Sequence, residues 1–426
     1  MALIRVTNDL AVSRADLLIA DADLVLTCVP SGAGLTGPIA RASVAVAGEQ
    51  IIAVGPAADV AAQTDTDSAR VIYAAGKVVA PGFVDSHTHL VFSGSRVQEY
   101  AARMTHTAAE VAAMGIPTGI QATVRATRAE PVGALVESAT LRLRRMFEHG
   151  TTTVESKSGY GLSLEAELKL LEVNHHLESL QPVDVVSTFL GAHDFPPDQP
   201  RDRYIAEVVG EMIPRVAAEG LAEFCDVYCD DGYYTLEEAQ RVLEAGRAAG
   251  LKLKIHTDAY SAIGGAAMAA EMGVVSADHL NYATRTDLRK LAAAGVTGVV
   301  MPVLDWAVGH PRPFDARAMV AEGLPLALAS DLCPGCWVES IQLVMQMACR
   351  LYRLSPGEAL YAATAGGARA LALTDRGTVA PGQLADLQIW DLPAFEDVIY
   401  RLGSNAVEAV VKRGKVYSFG SERTTG

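Results

Sequence analysis

Eight short runs of apolar and β-branched residues, separated by helical stretches, constrain the fold of this chain more than any other feature. The runs cover 78–86, 152–157, 183–190, 223–229, 251–256, 274–278, 296–303 and 324–330. The stretches between them, such as 132–148, 164–180, 203–218, 235–249, 264–272 and 286–294, have helical composition. This alternation predicts parallel strands with crossover helices. An open doubly wound sheet is possible, but eight regular units favour a closed (β/α)8, TIM-like barrel.

Both ends of the chain contain further short strand-like runs. Residues 16–27, 42–54 and 70–73 precede the barrel, and residues 385–391, 407–412 and 414–417 follow it. Neither end is long enough to bury a core of its own. We therefore predict that they pair into one small β-sandwich domain, with 1–77 as its N-terminal part, 78–376 as the inserted barrel and 377–426 as its C-terminal part.

Composition and charge exclude several classes of protein. The 426 residues are 50% hydrophobic and 20% charged, which is far too apolar for a disordered chain. Asp and Glu number 50 against 35 Lys and Arg, so a basic nucleic-acid-binding face is not expected. The first ten residues lack a signal-peptide pattern, no run is long enough to span a membrane, and six cysteines are too few for a disulfide framework. These features predict a cytoplasmic protein without nucleic-acid or membrane partners.

The strongest local signal is the sequence PGFVDSHTH at 81–89, where the first run ends. Residues i and i+2 of a strand point to the same side, so His87 and His89 can share one ion. A lone H-x-H pattern is weak evidence for a metal site. The position of this pattern at the end of a predicted strand strengthens the evidence, because active sites of barrels of this kind lie at the carboxyl ends of the strands.

Other predicted strands also end in residues that bind metals. The fifth run ends at His256, the sixth at Asp278 and His279, and the eighth just before Asp331. Buried imidazoles and carboxylates need partners, and one divalent cation satisfies several of them. Two or three imidazoles with one carboxylate, and a position left for water, are typical of a catalytic zinc-type site.

Longer stretches of the chain resemble a known family. The stretches are PGFVDSHTHL at 81–90, SR at 95–96, GTTTVESKSGYG at 150–161, TFLGAH at 188–193, SADHL at 276–280 and PGQLADLQIWD at 381–391. Together they resemble the amidohydrolase superfamily of metal-dependent hydrolases and, within it, the imidazolonepropionases of histidine degradation. The resemblance extends over nearly the whole chain and implies a homodimer.

The resemblance implies a role for each candidate residue. The implied ligands of one divalent metal ion, zinc or iron, are His87, His89, His256 and Asp331. Asp331 would also take a proton from the attacking water, and His279 would polarise the scissile carbonyl. Arg96, Tyr160 and His193 would bind the substrate, because a planar guanidinium suits a carboxylate tail. The bridging carboxylated lysine of some superfamily members belongs to the fourth strand, so we predict that Lys157, on the second, bridges no metals.

Three positions depart from the imidazolonepropionase pattern. Ala259 stands where that pattern has Glu or Gln, three residues after the fifth-strand histidine. Cys333 and Cys336 stand where it has an amide and a hydroxyl, on either side of Pro334 and Gly335. We predict that Cys333, Gly335 and Cys336 line the substrate pocket, with inert packing or a redox or metal-binding pair as the alternatives. Such substitutions indicate a change of substrate.

The predicted function is a metal-dependent hydrolase that acts on the C–N bond of a five-membered cyclic amide or amidine. Its substrate is a small imidazolone- or hydantoin-like ring with a carboxylate tail. The alternatives are a hydrolase of a hydantoin or thiohydantoin propionate, of the desulfhydrase type if the C=S bond is the one hydrolysed, and a deaminase of the same superfamily. An inactive structural barrel is a further alternative, which the presence of a stoichiometric metal ion would exclude.

Overall fold

The structure, a computed structural model, describes residues 13–419. Its N-terminal part contains helix α1 (Ala57–Gln63) and strands β1 (Ser13–Arg14), β2 (Leu17–Leu26), β3 (Pro38–Ala47), β4 (Gln50–Pro56), β5 (Thr64–Asp65), β6 (Arg70–Tyr73) and β7 (Val78–Pro81). The single run predicted at 42–54 is therefore a hairpin, whose turn contains Gly48 with a φ of +56°. The predicted first barrel strand, 78–86, is also two strands, of which β7 belongs to the terminal sheet.

Eight parallel strands form the barrel. They are β8 (Phe83–Asp85), β9 (Thr151–Lys157), β10 (Asp184–Ala192), β11 (Phe224–Cys229), β12 (Lys252–Thr257), β13 (Ser276–His279), β14 (Thr297–Val300) and β15 (Leu326–Leu328). Each strand pairs with the next one along the chain, and every pairing is parallel. The predicted (β/α)8 barrel is thus confirmed.

Residues just beyond the first and last barrel strands join the two edges of the barrel. Thr88 and Leu332 form a parallel bridge. The backbone N–H of Asp331 donates to the carbonyl of His87 at 3.0 Å, and that of His89 donates to the carbonyl of Leu332 at 2.9 Å. The H-x-H segment therefore helps to close the barrel at its carboxyl end, and closure fixes the position of both histidines.

The helices that surround the barrel agree with the sequence prediction. They are α2 (Val97–Arg103), α3 (Ala108–Ala113), α4 (Gly119–Ala129), α5 (Val132–Glu148), α6 (Leu164–Leu180), α7 (Arg201–Glu207), α8 (Ile213–Ala218), α9 (Leu236–Ala248), α10 (Gly265–Met272), α11 (Arg285–Ala293), α12 (Pro302–Ala307), α13 (Ala316–Ala321), α14 (Ile341–Tyr352), α15 (Pro356–Tyr361), α16 (Gly367–Ala370) and α17 (Asp397–Tyr400), with π-helical turns at Val208–Met212 and Ala362–Gly366. Several of these helices begin after a residue whose side chain caps the first turn. In α6, for example, the Ser163 hydroxyl accepts from the backbone N–H of Ala166. Within residues 13–419, no helix has the length and apolarity that a bilayer crossing requires.

The C-terminal strands β16 (Leu387–Trp390), β17 (Val407–Lys412) and β18 (Lys415–Ser418) complete the terminal sheet. Its strand order is β18-β17-β16-β7-β2-β3-β4, and β6 pairs with the first half of β2. Side chains from both ends of the chain share one core, including Ile19, Val44, Leu387 and Val411. The predicted small β-domain formed by both termini is thus confirmed, whereas its boundaries at 77 and 376 stay predictions.

Candidate active site

Five side chains from four strand ends meet at the mouth of the barrel. Ring nitrogens of His87, His89 and His256 lie within 4.8 Å of one another. In a second, overlapping group, ring nitrogens of His87 and His279 and a carboxylate oxygen of Asp331 also lie within 4.8 Å of one another. Asp331 Oδ1 is 3.6 Å from Nε2 of both His87 and His89. The four predicted metal ligands are at most 5% exposed. The fold therefore brings these predicted residues into one cluster.

The polar atoms of this cluster suit a metal ion. His87 Nε2, His256 Nε2 and Asp331 Oδ1 are buried without a hydrogen-bond partner in residues 13–419. Such unpaired buried atoms cost free energy, and a divalent cation bound by nitrogen and carboxylate oxygen would satisfy them together. Burial lowers the pKa of His87 and His89 well below the usual value. Both imidazoles are therefore neutral, which is the form that binds metals.

Two buried aspartates contact the imidazoles from the side away from the cavity. His87 Nδ1 donates to Asp278 Oδ2 at 2.6 Å, and Asp278 Oδ1 accepts from Ser276 Oγ at 2.7 Å. His256 Nδ1 lies 3.0 Å from Asp226 Oδ2. Such carboxylates orient the ring of a metal-binding histidine. The sequence analysis did not assign these roles, although a charged Asp226 inside the apolar strand Phe224–Cys229 is a usable signal.

Two of the five residues have an uncommon backbone conformation. His279 has a φ of +79° and Asp331 a φ of +48°, in the left-handed region that non-glycine residues seldom adopt. Such conformations cost free energy and cluster at functional sites. Burial raises the pKa of the Asp331 carboxyl to about 6, although His256 and Lys157 oppose that shift. Asp331 is therefore a better proton acceptor than an exposed aspartate.

The G-Y-G loop after β9 places Tyr160 beside the cluster. Glu167, fully buried at the start of α6, accepts from the N–H groups of Gly159 at 2.9 Å, Gly161 at 2.7 Å and Leu162 at 2.8 Å. The Tyr160 ring lies 5.4 Å from that of His89. One carboxylate therefore fixes the whole loop, and the sequence analysis missed its role.

His193 lies next to Tyr160 and His89 at the mouth of the barrel. Its ring stacks on that of His89 with centroids 4.9 Å apart, and its Nδ1 donates to the carbonyl of Gly159 at 3.1 Å. This bond leaves Nε2 as an acceptor. Gly159 has a φ of +102°, and a Cβ there would lie 2.9 Å from both His193 Nδ1 and the carbonyl oxygen of Leu190. The loop therefore requires glycine at this position.

Arg96 reaches the same cavity with one edge of its guanidinium already occupied. Its Nε and Nη2 donate to the two carboxylate oxygens of Glu99 at 2.6 and 2.7 Å. Glu99 is 2% exposed and also accepts from the N–H of Gly119 at 3.2 Å. Arg96 Nη1 is turned towards Gly335, where a Cβ would lie 3.3 Å from it. Glu99 therefore orients the arginine, a function that the sequence analysis did not assign.

The mouth of the barrel contains one cavity of about 690 Å³, lined by most of the predicted site residues. The predicted site residues that line it are His89, Arg96, Tyr160, His193, His256, His279, Asp331, Cys333 and Gly335. Four further tyrosines, Tyr100, Tyr228, Tyr233 and Tyr260, also line the cavity and were not identified by the sequence analysis. A volume of this size suits a small organic substrate.

The positions that depart from the family pattern lie in different surroundings. Cys333 and Cys336 face each other across a tight turn with two backbone hydrogen bonds of 3.1 Å, and both are free thiols. Cys333 lines the cavity, whereas Cys336 is 2% exposed and packs into the hydrophobic core. The structure thus places Cys336 away from the predicted pocket lining.

Ala259 is also buried, and its N–H donates to Asp230 Oδ2 at 2.7 Å.

Comparisons with known proteins agree with this geometry. The amidohydrolase family model matches residues 78–417. The imidazolonepropionase of Shouchella clausii is 43% identical over 386 residues, which are 89% of this chain and 86% of that protein. The imidazolonepropionase of Halobacterium salinarum is 43% identical over 388 residues, which are 88% of this chain and 92% of that protein.

Solved structures of low sequence identity share the fold. An adenosine deaminase from Xanthomonas campestris with bound zinc has a TM-score of 0.71 at 21% identity, covering 95% of this chain and 93% of its own. An atrazine chlorohydrolase from Arthrobacter aurescens in complex with zinc has a TM-score of 0.70 at 18% identity, covering 94% of each chain. The predicted resemblance is confirmed, and this chain belongs to the amidohydrolase family.

Proposed function

We propose that this protein is a metal-dependent hydrolase that opens a five-membered cyclic amide with a carboxylate tail, and that imidazolone propionate is its substrate. One observation carries the proposal. A cluster of three imidazoles and one carboxylate, with unpaired buried atoms, opens into the same cavity as the cationic side chain of Arg96. The ring would lie at the metal cluster and the tail at the arginine. The names of the relatives support the same substrate.

The proposed cofactor is one divalent ion, zinc or iron, and the residues that would hold it are His87, His89, His256 and Asp331. When bound, the ion supplies Lewis-acid chemistry and makes water a nucleophile near neutral pH. The zinc in the two solved relatives supports zinc as the first candidate.

The protein's own residues supply proton transfer and polarisation. Asp331 holds the attacking water, takes its proton, and returns a proton to the ring nitrogen as the C–N bond breaks and a C–O bond forms. His279 faces the cavity from the end of β13 and donates an N–H to the scissile carbonyl. Burial lowers the pKa of His279 well below the usual value, so the neutral imidazole is the donor. Groups in such roles typically contribute about 10²–10⁴-fold to the rate.

Substrate binding falls to three residues around the cavity. Arg96 Nη1 is free of Glu99 and would bind the tail carboxylate. Tyr160 and His193 would hold the ring from the side of His89, where His193 Nε2 can accept a hydrogen bond from a ring N–H.

A second candidate, hydrolysis of a hydantoin or thiohydantoin propionate, is supported by the positions that depart from the family pattern. The buried methyl group of Ala259 cannot transfer a proton, and the Cys333 thiol faces the cavity in place of an amide. A soft thiol suits a C=S group better than an amide does. The metal cluster and Arg96 would have the same roles in this reaction.

Ring opening measured on a panel of substrates tests both candidates. The panel contains imidazolone propionate, hydantoin propionate, thiohydantoin propionate and the same rings without a tail. The first candidate predicts the highest kcat/KM on imidazolone propionate, and the second predicts it on one of the other two tailed rings. Sulfide released from the thiohydantoin is measured as well, because hydrolysis of its C=S bond gives C=O and hydrogen sulfide and leaves the ring intact. Failure of the metal-loaded protein to open any tailed ring or to release sulfide would contradict both. Release of ammonia without ring opening would favour a deaminase.

We also propose that the protein acts in the cytoplasm as a homodimer on a small molecule, without nucleic-acid or membrane partners. The formal charge of −15 and the six free cysteines support this setting. Closed two-fold dimers are the commonest state of soluble oligomers. Light scattering combined with size-exclusion chromatography tests the dimer, and a monomer mass would contradict it.

A further inference from the structure

Five fully buried charged residues lie beside the proposed metal cluster, and only the two aspartates among them have been given a role above. This inner ion cluster consists of Glu155, Lys157, Asp226, Lys254 and Asp278, each 0% exposed. Charged groups are almost never buried completely unless they are paired. Five such residues next to the metal cluster therefore need a physical explanation.

Lys157 is the member that joins the inner ion cluster to the metal cluster. Its Nζ lies 2.8 Å from Asp226 Oδ2 and 3.6 Å from Asp278 Oδ2, and it also pairs with Glu155 at 2.9 Å. The same two aspartate oxygens contact the imidazoles of the metal cluster. Asp226 Oδ2 is 3.0 Å from His256 Nδ1, and Asp278 Oδ2 is 2.6 Å from His87 Nδ1. Each oxygen therefore lies between the ammonium and one imidazole.

The charges explain why an ammonium is needed there. Ligand oxygens of Asp226 and Asp278 lie within 4.8 Å of each other. Two carboxylates so close in a buried site repel strongly, because water does not screen them. The Lys157 ammonium attracts both. Without it, the two carboxylates would move apart, and the contacts that orient the two imidazoles would be lost or weakened.

We propose that Lys157 is a positioning residue of the metal centre. Its ammonium holds Asp226 Oδ2 and Asp278 Oδ2 where these atoms fix the rings of His256 and His87 for ligation. This inference rests on the metal centre of the proposed function, and it gives a reason for the burial of a lysine on the second strand that we predict to bridge no metals.

The test compares Lys157→Met with Lys254→Met. Lys254 is an equally buried ammonium that pairs with Glu155 at 3.0 Å and donates to the carbonyl of Ser86 at 3.1 Å. Among the described residues it has no ion pair with Asp226 or Asp278. The control therefore removes the same charge and volume without removing the close contacts to the two aspartates, although Lys254 also attracts the Asp278 carboxylate from a longer distance.

Two measurements that need no substrate decide the result. Zinc affinity is measured by competition with a chromophoric chelator, and ligand geometry by the visible absorption bands of the cobalt(II)-substituted protein. Lys157→Met should weaken zinc binding by about 10–100-fold, as loss of outer partners of metal-binding histidines does, and should shift the cobalt(II) bands. Lys254→Met should lower the melting temperature but keep the wild-type cobalt(II) spectrum and nearly the wild-type affinity.

Wild-type zinc affinity and an unchanged cobalt(II) spectrum in Lys157→Met would overturn the inference, as would equal losses in both variants. If Lys157→Met does not fold, Lys157→Gln is measured in the same way, because its amide keeps a hydrogen-bond donor for Asp226 but carries no charge. The same outcomes then apply. A wild-type protein that binds no zinc or cobalt(II) would instead contradict the proposed function.

Discussion

Replacement of Arg96 by lysine tests how the carboxylate tail is bound. In the structure, Nε and Nη2 of Arg96 are both bound to Glu99, and Nη1 is turned towards Gly335 in the cavity. A guanidinium can hold two carboxylates at once on different edges. A lysine ammonium at the end of a flexible stem has no such fork. In Arg96→Lys, the ammonium either pairs with Glu99 or binds the substrate tail in a weaker geometry.

The size of the effect follows from the contact that is lost. A hydrogen bond to a charged group contributes about 1.5–3 kcal/mol. Loss of one such bond to the tail predicts a roughly 10- to 150-fold lower kcat/KM, because about 1.4 kcal/mol corresponds to a factor of ten. The side chain of Arg96 is only 20% exposed, so solvent weakens this bond little.

The assay compares a ring with a propionate tail and the same ring without one. Arg96→Lys should lose activity on the tailed ring and keep wild-type activity on the other. Arg215→Lys is the control, because Arg215 also pairs with a glutamate close by in the sequence, Glu219, but lies outside the cavity. An equal loss on both rings would refute the reasoning and would make Arg96 a structural residue.

Four further substitutions test the walls of the cavity and the residues packed behind them. Gly159→Ala should destabilise the protein by about 1–3 kcal/mol, since alanine is strained at a φ of +102° and its Cβ would crowd His193; an unchanged melting temperature would contradict this. Glu99→Gln should raise KM for the tailed ring several-fold while kcat stays near wild type, and a fall in kcat alone would exclude the orienting role. Cys333→Ser should alter kcat/KM and Cys336→Ser should lower mainly stability, whereas the reverse pattern would contradict the positions of the two thiols in the structure.

The barrel was predictable because its signal is repeated along the chain. Each apolar run ends within three residues of the end of a strand, and the predicted helices 132–148 and 164–180 have the bounds seen in the structure. The error at 78–86 has a local cause. The apolar run continues across Pro81 and Gly82, where the chain passes from the terminal sheet into the barrel. One strand of each sheet was therefore read as a single strand. Hydrophobic pattern alone does not show which sheet a short buried strand joins.

The residues of the metal cluster were accessible from sequence because they stand at strand ends within recognisable motifs. Their supporting residues were not. Glu99 follows Arg96 by three positions in a segment without strong periodicity. Glu167 lies on the buried face of α6, in the first turn, where a glutamate by itself indicates only a helix start. Asp226 contacts Lys157 and His256, which are far from it along the chain. Such partnerships depend on which strands are neighbours, and the sequence pattern does not contain that information.

The central claim is that one metal ion held by His87, His89, His256 and Asp331 makes this protein a ring-opening hydrolase. The most direct test is a titration of chelator-treated, metal-free protein with zinc or iron(II), while hydrolysis of the best ring substrate and bound metal are measured together. Activity should be absent at first, rise in proportion to bound metal, and stop rising at one equivalent per chain. Full activity without metal, or activity that rises until two equivalents are bound, would contradict the account.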